Sequence, residues 1–252
     1  MKYIMLFTIS LLCEIISAQD SIPSTSFELG YSYQQVKMNR FNQYIFDPVD
    51  FKLVKHCKNP NLAFNVRINK TFELGVYGEY QFAKNITYPI QKKLNPDFTI
   101  TLIEGVSTRV LRTINTGISL TFYYDHFLGL KNHENAWDRL NLGVETNGGV
   151  GFNSYYQEDQ NKTTNPIGFT SRYFKGKALH LNVGAIVEYL IIKSPLFLAI
   201  GFKGGYQFYF AETMKNKVGK EWRSASYNPE TSPPINLNFS GFYYGVYLKI
   251  GK

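Results

Sequence analysis

An alternation of apolar and polar residues recurs along nearly the whole chain, and it restricts the possible folds more than any other feature. In the closing segment SGFYYGVYLKIGK, apolar residues from Phe242 to Ile250 share one face, while Gly, Tyr and Lys occupy the other. A period of two residues is the period of a β-strand. The pattern fits a soluble sheet with its apolar face inward. It fits equally a barrel in lipid with its apolar face outward.

About ten segments carry this alternation. Most are close to the roughly 9–11 residues with which a tilted β-strand crosses a membrane. They are STSFELGYSYQQV, NLAFNVRIN, TFELGVYGEYQF, FTITLIEGVSTRVL, TGISLTFYYDHFLGL, RLNLGVET, GVGFNSYYQ, KALHLNVGAIVEYLIIK, LFLAIGFKGGYQFYF and GFYYGVYLKIG. The sequence therefore predicts an all-β fold of about ten strands, with eight strands as the alternative.

The connections between these segments alternate in length. Long polar connections are predicted at 39–60, 84–97, 131–138, 158–176 and 212–236, and short turns at 69–70, 112–115, 146–148 and 193–195. The dipeptide Asn147-Gly148 is itself a hairpin signal. Long loops outside and short turns in the periplasm are typical of an outer-membrane barrel, whereas a soluble sandwich does not require this order. We therefore expect a closed antiparallel transmembrane β-barrel with both chain ends in the periplasm.

The first residues have the layout of a secretory signal peptide. Lys2 precedes an apolar run, and the small pair Ser17-Ala18 precedes Gln19. We predict a signal peptide at 1–18 and a barrel at 19–252; lipidation at Cys13 and an N-terminal membrane anchor are the alternatives. After cleavage Cys57 would be the sole cysteine, so no disulfide within the chain is expected.

The faces opposite the apolar ones carry charges of both signs, including Glu73, Asp125 and Lys249. In a membrane barrel these residues must face the interior, because a charge facing lipid costs about 2–4 kcal/mol at the midplane. The residues predicted to form an ion network in the lumen are Glu28, Arg67, Glu79, Arg109, Arg139, Glu145, Glu188 and Lys203. Near-balanced charge favours a paired network over a pore that selects one sign. Glu104 shares the apolar phase, which requires either a bulge near Ile103 or a shifted phase.

The chain resembles the small outer-membrane β-barrel proteins of Gram-negative bacteria, especially the Tyr-rich kind of the Bacteroidota that begins at Gln. The resemblance rests on the alternation, the loop lengths and the 19 Tyr and 20 Phe, and it covers 19–252. It implies an outer-membrane location and recognition by the barrel-insertion machinery. Such chains normally end on an aromatic residue, and here Ile250-Gly251-Lys252 departs from that pattern. Tyr247 and Ile250 are therefore the candidates for barrel closure and recognition.

Residues for catalysis or metal binding are few. The four histidines, His56, His126, His133 and His180, lack the spacing of a metal site, so we predict no metal and no cofactor. Asp125, His133, Glu134 and His180 are weak candidates for a hydrolase site at the outer rim. We expect a non-enzymatic structural or accessory envelope component with a filled lumen. A small-solute channel and a rim hydrolase acting on lipid A or peptide are the alternatives.

The net charge of +8 is concentrated in the predicted long loops. The basic residues there are Arg40, Lys52, Lys55, Lys58, Lys92, Lys93, Lys162, Arg172, Lys175, Lys177, Lys215, Lys217, Lys220 and Arg223. They fit contact with outer-membrane lipid and with anionic lipopolysaccharide head groups, and they fit equally well solvated loops. An envelope protein complex is a further expected partner, and nucleic acid is not expected.

Overall fold

A computed structural model describes residues 24–36, 38, 54–88, 90–94, 96, 100–128, 139–161, 168–192, 196–223 and 233–252. The strands are β1 (Thr25–Gln35), β2 (His56–Arg67), β3 (Phe72–Thr87), β4 (Ile90–Leu94), β5 (Ile100–Tyr123), β6 (Leu140–Asn161), β7 (Gly168–Ile192), β8 (Phe197–Ala211) and β9 (Gly241–Gly251). One short helix, α1 (Tyr124–Phe127), follows β5. Among the described residues no helix has the length and apolar character needed to span a membrane.

The strands form a closed antiparallel barrel. Each pairs with its neighbours in the order β3-β2-β1-β9-β8-β7-β6-β5, and β3 pairs with β5 to complete the ring. The last strand pairs with the first from Ser26–Gly251 to Gln34–Tyr243, which removes both sheet edges. β4 lies outside the ring and pairs with β5 alone. The barrel class is confirmed, and eight strands, the alternative, is the correct number.

Two predicted turns are wrong, and they account for the overcount. Residues 112–115 lie within β5 and residues 146–148 within β6, in a ladder without register shifts. Thr113, Asn115 and Asn147 are buried polar residues that face the lumen. Gly149 lies where two strands approach closely, since a Cβ there would overlap the backbone of Thr116. Turn-like composition here reflects a polar, crowded interior and not a reversal of the chain.

The two ends of the barrel differ in their connections. The turn end carries Thr25, Gly251 and the tight turn at 68–71, in which the Asn69 side chain accepts hydrogen bonds from the N–H groups of Thr71 and Phe72, both at 2.8 Å. The loop end carries the connections at 36–55 and 212–240. The predicted turn at 193–195 lies outside the described residues.

Three of the predicted long loops need correction. The predicted loop at 131–138 lies outside the described residues, but β5 ends and β6 begins at the turn end, so the connection between them is not a loop-end connection. Most of 84–97 and 158–176 is strand in β3, β4, β6 and β7. Four connections, not five, are therefore at the loop end.

The barrel wall has unequal height. β5, β6 and β7 have 24, 22 and 25 residues, whereas β1 and β9 have 11 each. The additional residues of β5, β6 and β7 extend beyond the loop end as a sheet that includes β4. Glu104 lies in this extension and pairs in regular register with Ile90, so no bulge occurs at Ile103; its side chain is outside the described set.

The outward surface of the ring is an apolar belt. On β9, Phe242 is 62% exposed and Ile250 is 47% exposed, while Tyr247 and Lys249 between them are buried. Similar exposed residues on the other strands are Phe27, Leu29, Leu62, Phe64, Leu74, Val76, Ile114, Ile118, Leu120, Val144, Phe152, Leu181, Val187, Ile200, Phe202 and Phe208. An apolar exterior around a polar interior is the reverse of a soluble fold and is the arrangement of a membrane-spanning barrel.

Candidate functional site: the barrel lumen

The turn end of the lumen is closed by a buried ionic cluster around Lys249. Its Nζ donates to both carboxylate oxygens of Glu73, at 2.6 and 2.8 Å, and to Glu188 Oε1 at 3.1 Å. It also donates to the Tyr123 hydroxyl at 2.9 Å. These four side chains are at most 4% exposed. Lys249 lies on the strand that closes the barrel, so its contacts depend on closure.

Glu188 is the second centre of this cluster. It accepts hydrogen bonds from the hydroxyls of Tyr123 (3.1 Å) and Tyr247 (3.0 Å) and from Asn141 Nδ2 at 3.2 Å. Arg67 adds a cation 3.8 Å from Glu73 and lies over the Tyr123 ring at 4.6 Å. Two cations thus balance two carboxylates, and the paired charges offset the cost of removing each from water.

The middle of the lumen contains a second ion pair. Lys203 Nζ donates to Glu28 Oε1 at 2.7 Å and lies 3.9 Å from Glu145 Oε1. Asn147 Nδ2 donates to the same Glu145 oxygen at 2.7 Å. The space beside these groups is a cavity of about 20 Å³. Such a cavity holds roughly one water molecule.

An amide layer lies above the second ion pair, toward the loop end. Gln81 Nε2 donates to Gln34 Oε1 (2.9 Å), Gln207 Oε1 (2.7 Å) and Glu79 Oε2 (2.9 Å). Asn115 also donates to Glu79, at 3.1 Å. These contacts tie together strands that lie across the barrel from one another. The layer fills the cross-section with neutral side chains around one carboxylate.

Four aromatic and hydroxyl side chains continue this filling. The Tyr209 hydroxyl donates to Asn153 Oδ1 at 2.5 Å and lies 2.8 Å from the Thr113 hydroxyl. His180 contacts the Tyr77 hydroxyl through Nε2 and lies parallel to the Tyr209 ring. His180 is therefore a packed interior residue with a hydrogen-bond partner.

A hydrophobic cap closes the loop end. The connection between β8 and β9 folds into the barrel mouth and buries Met214, Ile235, Leu237 and Phe239 at no more than 1% exposure. Trp222 stacks on two rings of the tall wall, with centroids 4.5 Å from Tyr155 and 4.4 Å from Phe174. The cap consists of Val36, Met38, Val54, Cys57, Leu111, Tyr155, Ala178, Tyr209, Met214, Ile235, Leu237 and Phe239, with Trp222 and Phe174 packed against it.

The structure places the residues of the predicted ion network at several levels. Arg67 and Glu188 lie in the turn-end cluster, and Glu28, Glu145 and Lys203 lie in the middle. Glu79 lies in the amide layer, and Arg109 is buried near the loop end on β5. Arg139 does not join them, because it is exposed next to β6 and contacts the Ile191 carbonyl at 3.5 Å.

Only two of the four predicted catalytic residues are described, and these two lie far apart. Asp125 lies in α1 at the turn end, whereas His180 lies inside the barrel beneath the cap. His133 and Glu134 lie outside the described residues. Across the described part of the chain, no group of three His, Cys, Asp or Glu side chains could hold a metal ion.

The network predicted from the sequence omitted several of its strongest members. Lys249 and Glu73 were recognised as residues of polar faces, and Tyr123 and Asn141 carried no signal. Lys249 and Glu73 are separated by 176 positions in the chain, so their contact follows only from barrel closure. Tyr247 points inward to Glu188, and Ile250 points outward and pairs with Phe27 and Leu198.

Comparison with known proteins identifies no family. No family model matches the chain, and no curated protein matches it. Among solved structures, a major outer membrane protein of Thermus thermophilus is 11% identical, with a TM-score of 0.41, covering 89% of this chain and 99% of that one. Ail, the attachment invasion locus protein of Yersinia pestis in complex with sucrose octasulfate, is 14% identical, with a TM-score of 0.32, covering 92% and 98%. The apolar exterior and the polar, charged interior of the chain are those of an outer-membrane-type β-barrel.

Proposed function

We propose that this protein is a sealed, non-enzymatic outer-membrane barrel that serves as a structural or accessory component of the cell envelope. The observation that carries the proposal is the continuous filling of the lumen by the ionic cluster, the second ion pair, the amide layer and the cap. Barrels of about eight strands are just wide enough for side chains to fill them. Pairing offsets the cost of burying these charges, and the side chains that carry them occupy the lumen.

Conductance tests the sealed lumen. Purified protein is inserted into planar bilayers, and insertion is verified separately in liposomes by heat-modifiable migration on a gel. We expect no steady single-channel steps in the inserted protein. Steady, ion-selective steps would overturn the proposal in favour of a small-solute channel. The separate insertion measurement distinguishes a closed barrel from a protein that failed to insert.

The proposal also assigns an orientation. We place the loop end outside the cell and the turn end in the periplasm, because long connections of outer-membrane barrels face the medium. The tall wall of β5, β6 and β7 then rises above the membrane, where it offers a surface for contact with other envelope components.

Two exposed lysine sites at opposite ends make a matched test of this orientation. Lys217 and Lys220 are exposed at the loop end, and Lys70 is exposed in the tight turn at the turn end. Trypsin added to intact cells should cleave after Lys217 or Lys220 and leave Lys70 intact, whereas permeabilised cells should also allow cleavage after Lys70. Cleavage at Lys70 alone in intact cells would reverse the orientation.

A further inference from the structure

A basic groove lies at the loop end of β1, β2 and β3, beyond the last β2–β3 pair at Lys58 and Phe82, and its lining extends inward to Cys57 of the cap. It has a volume of about 370 Å³ and is lined by the basic side chains of Lys55, His56, Lys58 and Lys84. Tyr33 and Phe82 supply aromatic walls, and Tyr33 stacks on His56 with ring centroids 5.0 Å apart. We call this feature the β2–β3 groove.

The described lining of the β2–β3 groove carries charge of one sign. It includes no carboxylate, and its three lysines are exposed. None of the ion pairs within the described part of the chain involves Lys55, Lys58 or Lys84. Three ammonium groups around one concavity attract an anion, and a phosphate offers each of them an acceptor oxygen.

The position of the groove indicates where such an anion would come from. Lys58 lies directly opposite Phe82 across the β2–β3 ladder. Toward the turn end, β2 continues with Leu62 and Phe64, which are 52% and 49% exposed. Tyr31, at 47% exposure, lies beside them on β1. The lysines are therefore at the upper border of the apolar belt, at the depth where the head groups of the outer leaflet meet its acyl chains.

The adjoining strands β9 and β8 provide a comparison within the molecule. At the loop end of β8 and β9 the outward residues are Phe208, Phe210 and Phe242, and Glu212 follows them. Among the described outward residues there, none is basic. Exposed basic side chains also occur on other strands at this end, such as Arg112 on β5 and Lys177 on β7. The β2–β3 groove differs from them because it gathers three lysines around one concavity.

We propose that the β2–β3 groove binds the phosphate group of an acylated, phosphorylated glycolipid of the outer leaflet. Lys55, Lys58 and Lys84 contact the phosphate, and the acyl chains lie along Leu62 and Tyr31. The proposal rests on the orientation given above, with the loop end outside. It concerns a groove at the rim of the barrel wall, and it does not depend on whether the lumen conducts ions.

The test compares two triple variants that each remove three positive charges. K55Q/K58Q/K84Q alters the groove, and K175Q/K217Q/K220Q alters exposed lysines elsewhere at the loop end. Binding of diphosphorylated lipid A to the detergent-folded protein is measured by native mass spectrometry. A lysine near an anionic lipid surface contributes about fivefold in affinity, so the groove variant should lose on the order of 100-fold. The control variant should change by less than about threefold by the same reasoning.

Further probes identify the ligand. Lipid A without phosphate should bind weakly to the unaltered protein, inorganic phosphate should not displace diphosphorylated lipid A, and K55R/K58R/K84R should retain binding.

Equal losses in the two triple variants would overturn the proposal in favour of non-specific attraction. Full displacement by inorganic phosphate would indicate a free-anion site instead. If the groove triple fails to fold, K58Q and K84Q are measured singly, and unchanged binding in both would overturn the proposal. Conductance and trypsin accessibility do not enter these readouts, so failure here is distinguishable from failure of the proposed function.

Discussion

At the turn end the lumen is closed by charged side chains carried on strands, whereas at the loop end it is closed by apolar side chains, several of which come from a connection outside the strands. Lys249, Glu73 and Glu188 belong to β9, β3 and β7. Met214, Ile235 and Leu237 belong to the segment between β8 and β9. Both groups are almost fully buried.

The contrast follows from how each end is held. Ion pairs stabilise a protein interior only when their geometry is good and their remaining hydrogen bonds are made, and a paired strand fixes a side chain within a fraction of an ångström. A connecting segment without a continuous ladder positions its residues less tightly, and apolar burial tolerates this because it is non-directional. Removing one charged or hydrogen-bonding group should therefore destabilise the turn end. The loop end should respond mainly to a loss of buried apolar volume.

The largest effect is expected from deleting 247–252. The truncation removes Tyr247 and Lys249 from the ionic cluster and shortens the β9 ladder with β1 and β8. An unpaired strand edge cannot be accommodated in lipid, so membrane assembly should be abolished, as measured by loss of heat-modifiable migration. Deleting a stretch of the loop-end connection such as 217–220 is the control and should leave assembly intact. Normal migration of the truncated chain would show that closure does not depend on this strand.

The next effect in size is Lys249→Ala. It leaves Glu73 and Glu188 without their main cation in a buried site, which should lower the free energy of unfolding by about 3–5 kcal/mol. Urea-induced unfolding in lipid vesicles measures the change. The double variant Lys249→Met with Glu73→Gln should recover part of the loss, because it also removes one uncompensated carboxylate. No recovery would mean that packing, and not charge, dominates at the turn end.

The structure also shows which features of the fold the sequence could predict. The strict alternation was sufficient to predict the barrel class and the inward direction of Glu28, Glu145 and Lys203. The face on which a strand residue lies depends only on its position relative to its neighbours in the sequence. The strand number was overestimated because Thr113, Asn115 and Asn147 have the composition of turns although they line a polar lumen. In a membrane barrel, polar residues within a strand and polar residues of a turn look alike in sequence.

The partners of these residues could not be predicted. The Lys203–Glu28 contact joins positions 175 residues apart, and the choice of partner depends on the register of every strand between them. The cap was missed for a different reason. Met214, Ile235 and Leu237 are isolated apolar residues in a long polar connection, without the periodicity that would mark them as buried.

A smaller effect is expected at the loop end from Leu237→Ala. Leu237 is fully buried in the cap, and its truncation should cost roughly 2–3 kcal/mol, the lower part of the range for buried leucines, since the surrounding segment can relax. Urea-induced unfolding again provides the measurement, and Leu237→Met is the volume-conserving control with little expected loss. A loss larger than that of Lys249→Ala would reverse the comparison between the two ends.

The smallest effect is expected from removing a charge at the loop end, where the buried Arg109 can be compared with the exposed Lys217. Arg109 is 8% exposed on β5, two residues from the cap residue Leu111 on its loop-end side, and a long side chain of this kind contributes apolar packing as well as charge. Arg109→Ala should lower the free energy of unfolding by about 1–2 kcal/mol, whereas Lys217→Ala, at an exposed position, should stay within about 0.5 kcal/mol of the unaltered protein. Thermal unfolding in one detergent provides the comparison. Arg109→Lys retains the charge and most of the stem, so it should fall between the two. Equal midpoints for Arg109→Ala and Lys217→Ala would mean that charge above the cap is effectively solvated, and that the sealed part of the lumen ends at the cap.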